Sequence, residues 1–474
     1  MQLNGRDRLL TGLFALQLAA AAAFGLVLVD ALGDEPASQV LTSQPGKVAP
    51  AAGPAPSMSA SAAAGTVGTA ASSGTAGSTS TSGPGSASGS DPSDPTVTVA
   101  APTSGPAVVA PGAPIRIGSV VTQTGAINFA AAAQGTKAYI DMVNAAGGVA
   151  GRTIELDLRD DQLDPARGRA QAQQLLASGV FAFVGWNAPL TENGIVPFLE
   201  SNKIPLVGAY GQQQEYHSRY SFVFSAHYGH YGFQMGRFLG QQDVSNPGVI
   251  FIDNMSAAAN DGLRKGFEAG LASVGKRLAS DNVVVVDATK ASFDDVVTQF
   301  RLSGVDGMAT VLDQTAYNRL QQAQDRAAYR PVHVAVPLFV DPTVRQGATT
   351  EGTFIATDLE LPGSSTPAVK EYEAAVRKSF GPRAQLNYIG VQGWIGAKAF
   401  VDALRRIGPR VDREALITAV EKSDGRGGLG FAAPLRFGPY AAGTRDINRC
   451  LKIAKVVQGK AVAITDWRCD DQPF

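Results

Sequence analysis

An α/β protein of two lobes is predicted, each lobe a largely parallel sheet covered by helices. Three observations predict it. From Ile115 onward, short apolar runs alternate with helical patterns to the end of the chain. Near-continuous apolar strands in such an alternation read as parallel strands buried on both faces. The count of those strands is too high for one comfortable open sheet, so two sheets, each in its own lobe, are the simpler solution. Finally, composition changes sharply near residue 112: residues 35–112 are almost wholly Ala, Gly, Ser, Thr, Pro and Val, with no charge between Lys47 and Asp91.

The elements follow in order. Arg6 and Arg8 precede an apolar stretch from Leu9 to Val29, and Asp30, Asp34 and Glu35 follow it. Basic before and acidic after keeps the N-terminus in the cytoplasm and exports the rest. The stretch is long enough to span a bilayer and longer than the usual signal core. Ala31-Leu32-Gly33 offers a small-x-small cleavage site, so residues 1–33 are read as either a cleaved signal peptide or a membrane anchor. Residues 34–112 form a disordered linker with little apolar surface to bury. As a flexible coil it would span about 50 Å.

Expected strands are 115–121, 153–158, 181–185, 204–208, 221–225, 248–253, 282–286, 308–312, 332–336 and 353–357. Expected helices are about 129–146, 165–178, 190–202, 229–240, 260–274, 292–303, 315–327, 366–380, 388–406 and 412–422. Together they make two Rossmann-like lobes. Val283-Val284-Val285-Val286 reads as a fully buried strand, and Asp164-Pro165 as a helix start. Cys450 and Cys469 flank a hairpin of strands 451–457 and 461–467, so a disulfide is expected, contributing on the order of 3 kcal/mol.

Composition excludes several classes. A net charge of −1 and pI near 6.5, without a basic stripe, speak against a nucleic-acid partner. His217, His227, His230 and His333 show no metal-protease spacing and no nucleophile partner, so neither a metal site nor an enzyme is expected. Gly147-Gly148-Val149-Ala150-Gly151 follows a helix rather than a strand and reads as a helix stop, not a dinucleotide loop. No cofactor is expected.

In open α/β sheets, ligands lie beyond the carboxyl ends of the strands. Five loops therefore carry the candidate ligand residues: Thr124 and Gly125; Trp186, Asn187 and Ala188; Tyr210, Gly211 and Gln212; Asn254 and Met255; Asp313 and Gln314. Gly125 and Gly211 let backbone approach a ligand. Trp186 and Tyr210 offer flat apolar area with a polar tip. Asp313 is either a partner for a ligand cation or a cap for the helix that follows it. Trp186 is equally open to a role in core packing.

The order of pieces from Ile115 to Gly208 carries a resemblance. Strand, Thr124-Gly125, helix, Asn144-Ala145-Ala146-Gly147-Gly148-Val149-Ala150-Gly151-Arg152, strand, Asp160-Asp161-Gln162 and Asp164-Pro165 resemble the first lobe of the type I periplasmic binding proteins, the branched-chain amino acid-binding (Leu/Ile/Val-binding) family. The resemblance covers about residues 114 to 474. It implies three chain crossings between the lobes, near 226–228, 357–362 and 425–430. Lobe 1 is then 113–227 with 358–427, and lobe 2 is 228–357 with 428–474. It also agrees with the cysteine pair.

The resemblance implies an extracytoplasmic solute-binding protein of an ABC importer. It would close about a hinge on an amino acid-like or small carboxylate or amide solute, with permease subunits as partners. The protein would be a monomer, either anchored at the outer face of the cell membrane or released as a secreted or periplasmic form. A ligand-binding sensor acting through a partner protein is the alternative. Residue by residue the match is partial. Amino acid binders read GPLSSG where this chain has Gly185-Trp186-Asn187-Ala188-Pro189-Leu190, so the Ser that holds the ligand carboxylate falls at Ala188 or Pro189. They read SPSAT at Gly208-Ala209-Tyr210-Gly211-Gln212, so the Thr that contacts the head group falls near Gln212. A second-lobe Tyr falls near Ala259, and the carboxylate that pairs the ligand ammonium near Asp313 or Gln314. Most of the set that reads a zwitterion is thus altered, and Trp186 with Tyr210 points to a larger, flatter or more apolar ligand.

Overall fold

The computed structural model describes residues 107–474, apart from 126, 213, 254–256, 288, 340–349, 424, 425, 436, 442, 444, 446 and 474. The apolar N-terminal stretch, read as a signal peptide or a membrane anchor, and the linker up to residue 106 lie outside the described residues. Among the described residues no helix is long and apolar enough to cross a membrane.

The first lobe is built on a parallel sheet. After β1 (Val108–Val109) come β2 (Ile115–Val121), α1 (Ala130–Ala145), β3 (Ile154–Asp160), α2 (Pro165–Ala177) and β4 (Ala182–Trp186). Two short helices, α3 (Pro189–Glu192) and α4 (Val196–Asn202), lead to β5 (Leu206–Ala209) and β6 (Ser221–Val223). The order is β3-β2-β4-β5-β6, all parallel. Asp164 caps α2, accepting from the N–H groups of Ala166 and Arg167, with Pro165 in the first turn as the sequence implied. The single helix expected over 190–202 is instead broken between α3 and α4. Pro197 sits in the first turn of α4, where its missing N–H costs nothing, whereas inside a continuous helix it would break the ladder.

The second lobe runs α5 (Tyr228–Gly240), β7 (Pro247–Ile252), α6 (Ala257–Ala272), β8 (Val283–Val286), α7 (Asp294–Leu302), β9 (Gly307–Thr310), α8 (Gln314–Arg326), β10 (Val332–Ala335) and β11 (Phe354–Thr357). The chain then returns to the first lobe with α9 (Pro367–Phe380), α10 (Tyr388–Ile407), β12 (Val411–Asp412) and α11 (Arg413–Glu421). It ends on the second sheet with β13 (Cys450–Val457), β14 (Lys460–Ala463) and β15 (Arg468–Cys469). That sheet is ordered β14-β13-β11-β10-β9-β7-β8, parallel from β8 to β11 and antiparallel at β13 and β14. β8 is an edge strand. Val283–Val286, expected to be fully buried, is only partly so, with Val285 55% exposed. An apolar run does not distinguish an edge from a centre.

α10 is the spine of the first lobe, buried along most of its length. It reaches the sheet through glycine: a Cβ on Gly208, at φ +83°, would stand 2.4 Å from the Cα of Gly396. It also meets α1 backbone to backbone, where a Cβ on Gly135 would stand 2.1 Å from the carbonyl oxygen of Gly390. Arg413, buried, donates to the carbonyls of Val180, Phe181 and Asn202 and so ties α11 to the loops at the base of β4 and β5.

Three passages join the lobes and touch one another. The first lies between β6 and α5, the second between β11 and α9. The Ala226 N–H of the first donates to Asp358 Oδ2 of the second at 2.6 Å. The third passage comes at Asn448, which bridges to Ala226 and donates to the Phe224 carbonyl at 3.1 Å. This is later than the expected 425–430. Phe437 still packs edge-on against Phe222 and Phe224, and Arg445 lies over the Phe222 ring and pairs with Glu421 at 2.8 Å, all on the first lobe. Beyond the passage, Cys450 and Cys469 are register partners on adjacent strands and are joined by a disulfide. Asp470 next to it meets His230 at 2.6 Å and Gln234 at 3.0 Å, docking the tail on α5.

Candidate ligand-binding cleft

A cleft of about 850 Å³, including its open mouth, lies where the carboxyl ends of both sheets face each other. The first lobe contributes Ile127 and Phe129 after β2, Leu163 after β3, Leu190 after β4 and Tyr210 to Gln212 after β5. From the second lobe come Ile252, Val311, Asp313 and Val336 to Leu338. The floor is made by the first passage, the start of α5 and the start of α10: Ser225, Tyr228, Tyr231, Tyr388 and Gln392. The walls are chiefly aromatic and aliphatic, with few polar groups, as small-molecule sites commonly are.

Most of the tyrosine hydroxyls are already spent on internal hydrogen bonds. Tyr231 and Tyr388 donate to Asp358 Oδ1 at 2.7 and 2.9 Å. Tyr216 donates to the carbonyls of Ser225 and Ala226. Tyr210 and Tyr228 are hydrogen-bonded to each other, and burial pushes the Tyr210 phenol up to about 12. Phe129 stacks on Tyr210 at 5.3 Å between centroids. The floor thus offers mostly π-faces and CH edges to an occupant.

Three buried carboxyls underlie the cleft. Asp358 ties the two passages and both lobes together; burial raises its pKa to about 6 against the pull of the three donors around it. Glu192, fully buried, accepts from the N–H groups of Ala188 at 3.0 Å, Gly211 at 3.1 Å and Tyr210 at 3.4 Å. Burial brings it up to about 7. Glu215, which accepts from the Gln212 N–H at 2.8 Å, is hydrogen-bonded to Glu192. Burial and the Glu192 charge hold Glu215 well above the ordinary carboxyl range.

The structure sorts the residues singled out in the sequence. Tyr210, Gly211, Gln212 and Asp313 line the cleft. Asp313 also caps α8, accepting from the N–H groups of Thr315 and Ala316, which is the capping reading of its two. Trp186 does not line the cleft. It is fully buried with its ring edge-on to Phe183 at 5.0 Å, because β4 lies between β2 and β5 and every one of its residues is inside. Asn187 and Ala188 are buried too. Asn187 continues the sheet by pairing with Val121, and Ala188 gives its N–H to Glu192. Thr124 and Gly125 are exposed and outside the lining; Thr124 donates to Asp160 at 2.6 Å. Gln314 bonds Asn318 along α8. Asn254 and Met255 lie outside the described residues.

The Asp160-Asp161 motif turns out to organise loops. Asp160 accepts from the N–H groups of Gln123, Thr124 and Gln162, and buried Asp161 from the hydroxyls of Thr122 and Thr191. Residues not foreseen are Phe129, Glu192, Tyr228, Tyr231, Tyr388 and Gln392. The usable signal was aromatic density where helices begin beside a lobe crossing. Nothing local marks Glu192, whose donors come from two loops. Among the described residues no cluster of His, Cys, Asp and Glu suits a metal ion.

Comparison with known proteins gives a consistent picture. A family model described as periplasmic binding protein matches residues 114–461. No curated protein matches the sequence. Among solved structures, the fatty acid ABC transporter substrate-binding protein from Thermomonospora curvata superimposes with a TM-score of 0.64 at 20% identity, over 76% of this chain and 94% of that one. A possible leucine/isoleucine/valine-binding protein from Rhodopirellula baltica gives 0.62 at 19%, over 75% and 97%. An ABC transporter solute-binding protein from R. palustris in complex with benzoate gives 0.62 at 12%, over 76% and 98%. At these identities the structures speak for the fold. The two-sheet architecture, the three passages and the matched family model together establish that this chain belongs to the periplasmic binding protein family, with the type I fold.

Proposed function

We propose that the protein is an extracytoplasmic solute-binding component of an ABC importer that captures a small, largely apolar solute between its lobes. One observation carries the reading: an aromatic cleft built from both lobes at the carboxyl ends of both sheets, floored by the passages that would serve as its hinge. A solute held by one lobe gains contacts with the other only on closure, so binding favours the closed form by the difference in affinity. Permease subunits would read that closed form. The solute is carried unchanged, and the receptor acts as a monomer, tethered or released at the outer face of the membrane. The names of the neighbours support apolar bodies as the kind of cargo this fold accepts, one being a fatty acid receptor and another holding benzoate. A branched-chain amino acid is a poorer match, since the zwitterion-reading positions are altered.

The experiment is a thermal-shift and calorimetric screen of the purified, oxidised protein against amino acids, aromatic and aliphatic acids, amides, amines and alcohols. Ligand at about 100 times its dissociation constant stabilises by about 2.7 kcal/mol. Saturable one-to-one binding of an apolar solute, lost in Tyr210→Ala, is the expected result. Failure of every compound to bind would remove the reading.

A further inference from the structure

The hydrogen-bonding atoms around the cleft are lopsided, and this asymmetry defines what the solute must bring. Donors first. Beyond β4 and β5, the backbone N–H groups of Ala188, Tyr210 and Gly211 converge as they would on a bound anion, but the chain's own Glu192 carboxylate already occupies them. The next N–H, of Gln212, is taken by Glu215. Tyr231 and Tyr388 spend their hydroxyl protons on Asp358, Tyr216 on backbone carbonyls and Tyr228 on Tyr210, which leaves the neutral hydroxyls of Tyr210 and Ser225 as the side-chain O–H donors of the lining. No Lys, Arg or His stands among the described lining residues, and the one charged side chain there is Asp313.

Acceptors next. Gln212 and Gln392 line the cleft, each about 4% exposed, and the Oε1 atom of each is buried without a hydrogen-bond partner. For Gln392 the amide orientation follows from its neighbours. Tyr388 donates its proton to Asp358, so its oxygen must accept, and the Gln392 group beside it at 3.2 Å must be the Nε2 donor. The same nitrogen lies 2.6 Å from Ser225 Oγ. Oε1 is therefore the unmatched end. Two buried acceptors without partners are costly unless something donates to them.

Resting on the receptor reading above, we propose that the cleft selects a solute whose apolar body ends in a hydrogen-bond donor, an alcohol, amide or ammonium group read by Gln212 and Gln392, and that Glu192 excludes carboxylate-ended solutes by filling their place. A carboxylate entering the cleft would face two acceptor oxygens and Asp313, with no cationic side chain and no unoccupied cluster of N–H groups among the described lining residues to compensate. A donor head group would satisfy atoms that the protein leaves unmatched. Sites built around such unmatched polar atoms discriminate strongly against ligands that lack the complementary group.

The test uses a matched set on one scaffold: 3-phenylpropanol, 3-phenylpropanamide, 3-phenylpropylamine and 3-phenylpropanoate, titrated calorimetrically into the oxidised full chain. The donor-ended members are expected to bind at least about tenfold more tightly than the carboxylate. Gln212→Leu should erase that preference. Gln212→Glu should retain it and favour the amine, which a merely structural Gln212 would not do. Glu192→Ala should raise affinity for 3-phenylpropanoate. Tightest binding of 3-phenylpropanoate to the unmodified protein would overturn the head-group inference while leaving the receptor reading intact. So would an unchanged preference in Gln212→Leu, provided circular dichroism shows it folded. Failure of all four compounds to bind, together with a blank in the wider screen, would overturn both.

Discussion

Tyr231, from the second lobe, and Tyr388, from the first, both donate to one buried oxygen, Asp358 Oδ1, and this shared acceptor makes a quantitative expectation possible. Tyr388→Phe removes a hydroxyl without changing shape. A hydrogen bond to a charged group is worth roughly 1.5–3 kcal/mol and one to a neutral group about 1 kcal/mol. The cost therefore depends on the charge of Asp358. Burial raises that carboxyl to about 6 in the folded protein, above its ordinary value of 3.8. A raised acid of this kind favours the fold most at low pH, and the advantage is lost as pH rises through its folded value. Removing a donor that pulls the value down pushes it higher still. At pH 5 the group is mainly protonated in both proteins, and the substitution should cost about 1 kcal/mol. At pH 8 it is ionised in the unmodified protein, and the cost should reach about 2–3 kcal/mol. Tyr231→Phe should behave alike. The double variant should lose more than the sum, because either hydroxyl partly covers for the other. Urea denaturation at the two pH values, with all four proteins, reads this directly. Equal losses at pH 5 and pH 8, or strict additivity, would refute the assignment of Asp358 as the charged knot between the lobes.

Further expectations follow from close packing and from the cleft. Gly208→Ala would place a Cβ 2.4 Å from the Gly396 Cα at a positive φ, so the protein should melt well below the parent or fail to accumulate, as a thermal melt would show. Reducing the Cys450–Cys469 bond, 19 residues apart, should destabilise by about 3 kcal/mol in urea, and ligand affinity should change little because the pair lies outside the cleft lining. Arg413→Met leaves the carbonyls of Val180, Phe181 and Asn202 without their side-chain donor and should cost about 2–4 kcal/mol, an effect visible in the denaturation midpoint. Tyr210→Ala removes the ring that stacks on Phe129 and should weaken an apolar ligand at least about tenfold, while the lost stack and the lost hydrogen bond to Tyr228 also lower the melting of the free protein.

Much of the fold was legible because its signals are local. Alternating apolar runs, the Asp164-Pro165 start and the two cysteines each carry their own physical reason within a short stretch. The errors share a different origin. Whether Val283–Val286 is central or at an edge, and whether Trp186 faces ligand or core, depends on which strands lie beside them, and sequence spacing does not encode that. The late third passage was hidden because the segment holding Phe437 and Arg445 has no regular pattern; it is held to the first lobe by ring and ion contacts distant in sequence. The loops after β5 and β9 were chosen from topology, and of the ten proposed ligand residues that the structure describes, four line the cleft. The floor was not found, since Tyr231, Tyr388, Asp358 and Glu192 acquire their roles only when separate segments meet.

The most direct measurement is the distance between the lobes with and without ligand. Spin labels on exposed Gln173→Cys of α2 and Gln322→Cys of α8 sit one on each lobe and are insensitive to the N-terminal linker. Pulsed electron resonance before and after saturation with the tightest-binding 3-phenylpropyl compound should show a shift to a new, narrower distance distribution, and Tyr210→Ala should abolish the shift at the same ligand concentration. Saturating binding with an unchanged distance distribution would contradict capture by closure of the two lobes.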